Sequence, residues 1–160
     1  MKYLYHQEVV EAINYLNLAA EIAKDSTCLR SRCGSVIVKD EEIIGRGYNS
    51  PPGNLESQIR CSCLKSEYHQ KVTDKTCCVH AEQRAIMDAL KKNTDRLGGS
   101  RLYFIRIDEE DLVIKAGKPY CTICSKMALD VGIAEFVLWH EKGICVYGTK
   151  EYNELSYQFM

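Results

Sequence analysis

Cys78-Val79-His80-Ala81-Glu82 and Pro119-Tyr120-Cys121-Thr122-Ile123-Cys124 each stand at the start of a segment with helical periodicity. Cys121 and Cys124 are three residues apart, so on the first turn of a helix their sulfurs share one face. The positive end of the helix dipole favours thiolate there, and thiolate is the form that binds metal. His80 supplies a third, neutral ligand. Three protein ligands leave the fourth tetrahedral position of a zinc ion to water, the arrangement of a catalytic rather than a structural site. Zinc lowers the pKa of such a water from about 15.7 to about 7. Glu82, two residues beyond His80, can reach that water without ligating the ion, which suits a proton shuttle.

Outward from these stretches the chain alternates helical and extended patterns. Val9, Ile13, Leu16, Ala20 and Ala23 form one stripe over residues 8–24, which predicts a helix. Gly34-Ser35-Val36-Ile37-Val38 and Ile43-Ile44-Gly45-Arg46-Gly47-Tyr48, split by a charged turn, predict a hairpin. Residues 50–78 lack periodicity and hold two prolines, four cysteines and His69, so something beyond local propensity must hold them. A helix is expected from Val79 through Leu90, a strand over 102–107, a helix over 121–131 and a strand over 134–139. The aromatic tail, with Tyr147, Tyr152, Leu155, Tyr157 and Phe159, is expected to dock as a short helix. Strands alternating with helices after a hairpin predict an α/β layered domain.

Composition sets the outer limits. The 160 residues fit one domain, and 21 basic against 22 acidic side chains give a formal net charge of −1, which disfavours a dedicated polyanion binder. Asp108-Glu109-Glu110-Asp111 reads as a solvated acidic loop that repels phosphate tracks, so nucleic acid is not an expected partner. Apolar stretches are too short to span a membrane, and residues 1–8 lack a secretory signal's apolar segment; cytoplasmic placement is the expectation. Nine cysteines, an odd and clustered set, favour metal ligation over a disulfide framework. Cys145 reads as packing, His140 as a surface or satisfied residue, and Tyr120 as either a base-stacking or a core aromatic.

The pairing of His-x-Glu with a later Cys-x-x-Cys beside proline is a signature of zinc deaminases. With Thr27-Cys28-Leu29-Arg30, Gly34-Ser35-Val36-Ile37-Val38 and Gly47-Tyr48-Asn49-Ser50-Pro51-Pro52 added, the chain resembles the deoxycytidylate deaminase branch of the cytidine deaminase superfamily. The resemblance implies one three-layer α/β/α cytidine-deaminase-like domain over residues 1–160, with a five-stranded mixed sheet and a catalytic zinc at two helix N-termini. It implies hydrolytic deamination of a cytosine nucleotide, dCMP to dUMP and ammonia, by attack on C4 with Glu82 as proton shuttle. Asn49 would contact the sugar or base, the Ala81 N–H the base carbonyl, and Arg30 the phosphate, which a guanidinium fork suits. It further implies a second, structural zinc on Cys28, Cys61, His69 and Cys78, with Cys63 and Cys77 as substitutes, and a homo-oligomer. The sequence departs from the family pattern where Tyr120 separates Pro119 from Cys121, in a longer 108–118 loop, and at Cys33 and Ser35. Three other readings stay open: a deaminase of cytidine, another aminated base or tRNA adenosine; a zinc-stabilised binding module without turnover; and a thiol redox protein using Cys121 and Cys124. The last gives His80 and Glu82 no role.

Overall fold

In the computed structural model, which describes residues 1–158, the charged turn closes as the sequence predicts. Strands β2 (Arg32–Lys39) and β3 (Glu42–Tyr48) pair antiparallel across Asp40 and Glu41, whose φ values of 49° and 62° give the doubly left-handed turn that matches strand twist. β4 (Arg101–Ile107) pairs antiparallel with β2, and β6 (Glu135–His140) pairs parallel with β4. A parallel pair needs a crossover, and α3 (Thr122–Asp130) lies within it. β7 (Gly143–Gly148) returns antiparallel beside β6. These five make the five-stranded mixed sheet that the resemblance implies. Two two-residue strands, β1 (Lys2–Tyr3) on β7 and β5 (Val113–Ile114) on β4, extend the sheet to seven.

Helices cover both faces. α1 (Gln7–Ala23) buries Leu16 and Ala19 against Val36, Val38, Tyr103 and Ile105. On the other face α2 (Ala81–Lys92), α3 and α4 (Thr149–Tyr157) bury Ala85, Ala128 and Tyr152 against Ile37, Leu102, Phe104 and Phe136. The three-layer α/β/α architecture is therefore as expected. Along β4 the two faces alternate: Tyr103 and Ile105 meet α1, whereas Leu102 and Phe104 meet the α2 side.

The tail differs from the sequence reading. Residues 143–148, including Tyr147, form strand β7, and only Thr149–Tyr157 are helical. Ile144 and Val146 point to the α1 side and Cys145 and Tyr147 to the other, so both faces are buried and apolar and the period of two is hidden. Tyr152 is buried, Tyr157 is exposed, and Phe159 lies outside the described residues. Residues 50–78 carry only short 3-10 turns at 52–54, 56–58 and 65–67, and an isolated bridge joins Ser50 to Val79. Among the described residues no helix is long and apolar enough to cross a membrane.

The seating of α2 depends on one missing side chain. A Cβ on Gly47 of β3 would lie 2.2 Å from the Ala81 carbonyl oxygen and 2.4 Å from the Ala85 nitrogen, both backbone atoms. The start of α2 thus rests directly on the strand. Gly47→Ala should destabilise the fold by about 1–3 kcal/mol through this overpacking. Gly98→Ala, where a Cβ would meet nothing within 4 Å, is the control. Urea denaturation of the two variants checks this, and equal stability would contradict the close seating.

Candidate metal centre

Both helices that begin at the two signature stretches aim their N-termini at one point. His80 is the N-cap of α2, held in extended conformation (φ −71°, ψ 155°), and its own N–H donates to Gln83 Oε1 at 2.9 Å. Cys121 is the N-cap of α3, and its Sγ accepts from the Cys124 N–H at 3.3 Å. His80 Nδ1 lies 3.2 Å from Cys121 Sγ and 3.3 Å from Cys124 Sγ, and the three ligand atoms all fall within 4.8 Å of one another. Zinc bonds of about 2.0 Å to nitrogen and about 2.3 Å to sulfur put tetrahedral N···S neighbours about 3.5 Å apart. One half-buried imidazole and two buried sulfurs, converging on that spacing, form a donor set that fits zinc.

The protons of this cluster are unevenly shared. Hydrogen bonding from Cys124 and then from His80 pulls the Cys121 thiol down to about 4, against the opposing effect of burial. Cys124 is pushed up by the same pairing and by burial. The hydrogen bond with Cys121 lifts His80 to about 9. Glu82 is 4 % exposed and faces the same cavity; burial first, then the negative charge of Cys121, push its carboxyl up to about 7. A carboxyl in that range can both take and give a proton near neutral pH.

A second cluster forms 33 residues of sequence apart at its first link. Cys28 Sγ lies 4.0 Å from Cys61 Sγ, and with Cys78 the three sulfurs fall within 4.8 Å of one another. The group ties the end of the α1 connection, the irregular loop and the residue two before His80. His69 does not join it, nor do Cys63 and Cys77. A tight local turn directs the imidazole of His69 at its own backbone, where Nδ1 accepts from the Lys71 N–H at 3.1 Å, and Cys77 Sγ accepts from the Arg60 N–H at 2.9 Å.

A cavity of about 230 Å³ runs from Cys28, Cys61 and Cys78 to His80, and Asn49, Ala81 and Arg30 all line it. Asn49 spends most of its amide on the protein: Oδ1 accepts from the Cys33 N–H at 2.8 Å and the Ser26 hydroxyl at 2.7 Å, and Nδ2 donates to Ser31 O at 2.7 Å. One N–H remains for a ligand. Ala81 is fully buried at the first turn of α2. Arg30 is exposed and donates to the Cys63 carbonyl at 2.7 Å. The sequence reading did not single out Gln83, which fixes the His80 backbone, or Phe104, which walls the cavity beside Tyr120. Glutamine three residues after an N-cap is a recognisable signal, whereas Phe104 needed the strand register.

Residues 10–140 match the cytidine and deoxycytidylate deaminase zinc-binding region. The chain belongs to this family. Among its relatives, the deoxycytidylate deaminase of Saccharomyces cerevisiae is 28% identical over 124 residues, covering 77% of this chain and 35% of that protein. The chain thus spans about a third of the length of the yeast relatives it matches. The deoxycytidylate deaminase of Mycobacterium phage D29 is 30% identical over 129 residues, covering 77% of this chain and 89% of the phage protein. The crystal structure of dCMP deaminase from cyanophage S-TIM5 in complex with dCMP and dUMP superposes with a TM-score of 0.55 at 24% identity, covering 83% and 82% of the two chains. A cytidine deaminase from Burkholderia pseudomallei gives 0.54 at 15% identity, covering 93% and 96%. These two likenesses establish the fold.

Family membership and the ligand geometry together set an expectation for metal content. Cys121→Ser should lower zinc by about one equivalent per chain relative to the unsubstituted protein, read by elemental analysis after dialysis. Unchanged zinc would put the ion elsewhere.

Proposed function

We propose that this protein is a zinc-dependent hydrolytic deaminase of a cytosine nucleotide, converting dCMP to dUMP and ammonia. The observation that carries the reading is the convergence of His80, Cys121 and Cys124 at the side of a cavity that His80 and the buried Glu82 both line. The deoxycytidylate deaminases among its relatives support the choice of base and sugar. On this reading His80 Nδ1 and the two sulfurs hold the catalytic ion, which supplies Lewis acidity and a nucleophilic water near neutral pH.

The remaining chemistry falls to the chain's own groups. Phe104 and Tyr120 wall the space in which the base sits, and the Ala81 N–H at the start of α2 hydrogen-bonds its carbonyl. Asn49 offers its one uncommitted N–H to the sugar or base, and Arg30 offers its charge to the phosphate. Glu82 takes a proton from the attacking water and gives it to the ring nitrogen as the C4–O bond forms. It then carries the remaining hydroxyl proton to the amino group, the C4–N bond breaks, and ammonia leaves a C4 carbonyl behind. Burial of Glu82 keeps bulk water from competing for those protons.

The reading also includes a second, structural zinc held by Cys28, Cys61 and Cys78 and by a fourth ligand, the place the resemblance gives to His69. The 4.0 Å between the Cys28 and Cys61 sulfurs is close to the roughly 3.8 Å that a tetrahedral site sets between sulfurs. Such an ion would fasten a loop that has little regular structure of its own. Cytoplasmic placement and self-association complete the proposal; a reducing compartment suits nine free thiols.

Glu82→Gln tests the mechanism. Ammonia release from dCMP should fall by at least about 10²-fold while zinc content stays at the unsubstituted value. Retained activity would remove Glu82 from the mechanism, and absence of turnover on dCMP by the unsubstituted, zinc-loaded protein would overturn the substrate.

A further inference from the structure

Arg106 is a cation without a described role. It stands on β4 two residues beyond Phe104, and the strand period of two puts it on the face of Leu102 and Phe104, the face that carries α2 and the metal centre. Its cross-strand partner on β2 is Cys33, which lines the catalytic cavity, as Phe104 does. On its other side the backbone pairs with Ile114 of β5, so the 108–118 loop holds Arg106 between two strands.

Arg106 also lines two cavities that border the catalytic one. The first, of about 580 Å³, is lined by Arg30 and Ser31 as well, and these two also line the catalytic cavity. The second, of about 240 Å³, shares Phe104 and Tyr120 with it and adds Lys118. Arg106 therefore sits where the space around the metal centre widens outward.

Its guanidinium makes no direct ion pair with a described residue. Arg32, on the larger cavity too, is neutralised by Asp111 Oδ1 at 2.7 Å and donates further to the Asp108 and Lys24 carbonyls. Among the described residues the Arg106 guanidinium has no hydrogen bond and no ion pair. Asp108, Glu109 and Glu110 border the same cavity, yet none makes an ion pair with it, and one Asp108 carboxylate oxygen accepts from the Glu110 and Leu112 N–H groups. Its field reaches Tyr120, where it opposes the rise that burial and then Glu82 impose on the hydroxyl. A half-buried guanidinium left unpaired is unfavourable unless an anion comes to it.

We propose that Arg106 receives the 5′-phosphate of the substrate, opposite Arg30, and thereby sets a preference for nucleotide over nucleoside. The proposal rests on the deaminase reading above. A planar guanidinium fork suits two phosphate oxygens at once, and strand pairing on both sides fixes the backbone from which it reaches out. Arg30 reaches the phosphate from an exposed loop, whereas Arg106 reaches it from the sheet.

The test compares zinc-loaded wild type with Arg106→Gln on dCMP and on deoxycytidine. The ratio of the two kcat/KM values should fall by about 10- to 100-fold in the variant, the loss expected when charge-assisted hydrogen bonds to an anion are removed. Arg106→Lys should fall less, because the charge remains and the fork is lost; it carries the comparison if Arg106→Gln does not fold. A ratio unchanged in the variants, including one in which both substrates lose equally, overturns the proposal. Calorimetric binding of dUMP and deoxyuridine separates this from the deaminase reading. If wild type turns over neither substrate but its preference for dUMP collapses in the variant, Arg106 stands and the deaminase reading fails. If wild type binds the two equally, Arg106 is overturned.

Discussion

Two helices start at one point, and the rest of the structure is arranged to let them. Each helix N-terminus presents unsatisfied N–H groups and a partial positive charge, which alone would make their meeting unfavourable. The side chains placed there reverse the sign: Cys121 caps α3 and accepts the Cys124 N–H, while His80 caps α2 and bridges to both sulfurs. Anionic sulfur between two helix dipoles is favourable, and the same sulfurs are soft donors for a divalent ion. The constraint is reciprocal, because an ion shared by both helices fixes their relative position.

The sheet supplies the platform for that meeting. α2 begins within contact of the β3 backbone, so the position of His80 is set by strand packing as well as by its own cap. α3 arrives through the crossover between β4 and β6, the one parallel pair among the described strands. Phe104, on β4 between them, closes the cavity floor on the sheet side. Cys28, Cys61 and Cys78 bring the irregular loop beside the same cavity, immediately before α2. The short run from Cys78 to Glu82 joins the two clusters.

What could be read from residues alone follows from how strongly chemistry restricts residue type. The meeting of His80, Glu82, Cys121 and Cys124 at two helix starts was legible because few side chains can ligate zinc or shuttle protons and their spacing sets them there. The long helices and the hairpin were legible from periodicity. β7 was not, since Ile144 and Val146 face one buried layer and Cys145 and Tyr147 the other, which leaves no polar alternation to count. His69 was grouped with the cysteines by resemblance, and here a local turn that no pattern announces occupies its Nδ1 with the Lys71 N–H. Arg106 is invisible for a different reason: an arginine in an apolar strand acquires meaning only when register shows that it faces Cys33 and the cavities around the site.

Everything in this account follows from a zinc ion shared by α2 and α3. Crystals of the protein grown with zinc, with diffraction collected on both sides of the zinc absorption edge, locate it directly. The account predicts an anomalous peak about 2.0 Å from His80 Nδ1 and about 2.3 Å from the sulfurs of Cys121 and Cys124, with its fourth side turned toward Glu82. No peak between those three atoms, or a covalent bond joining the two sulfurs, would contradict it.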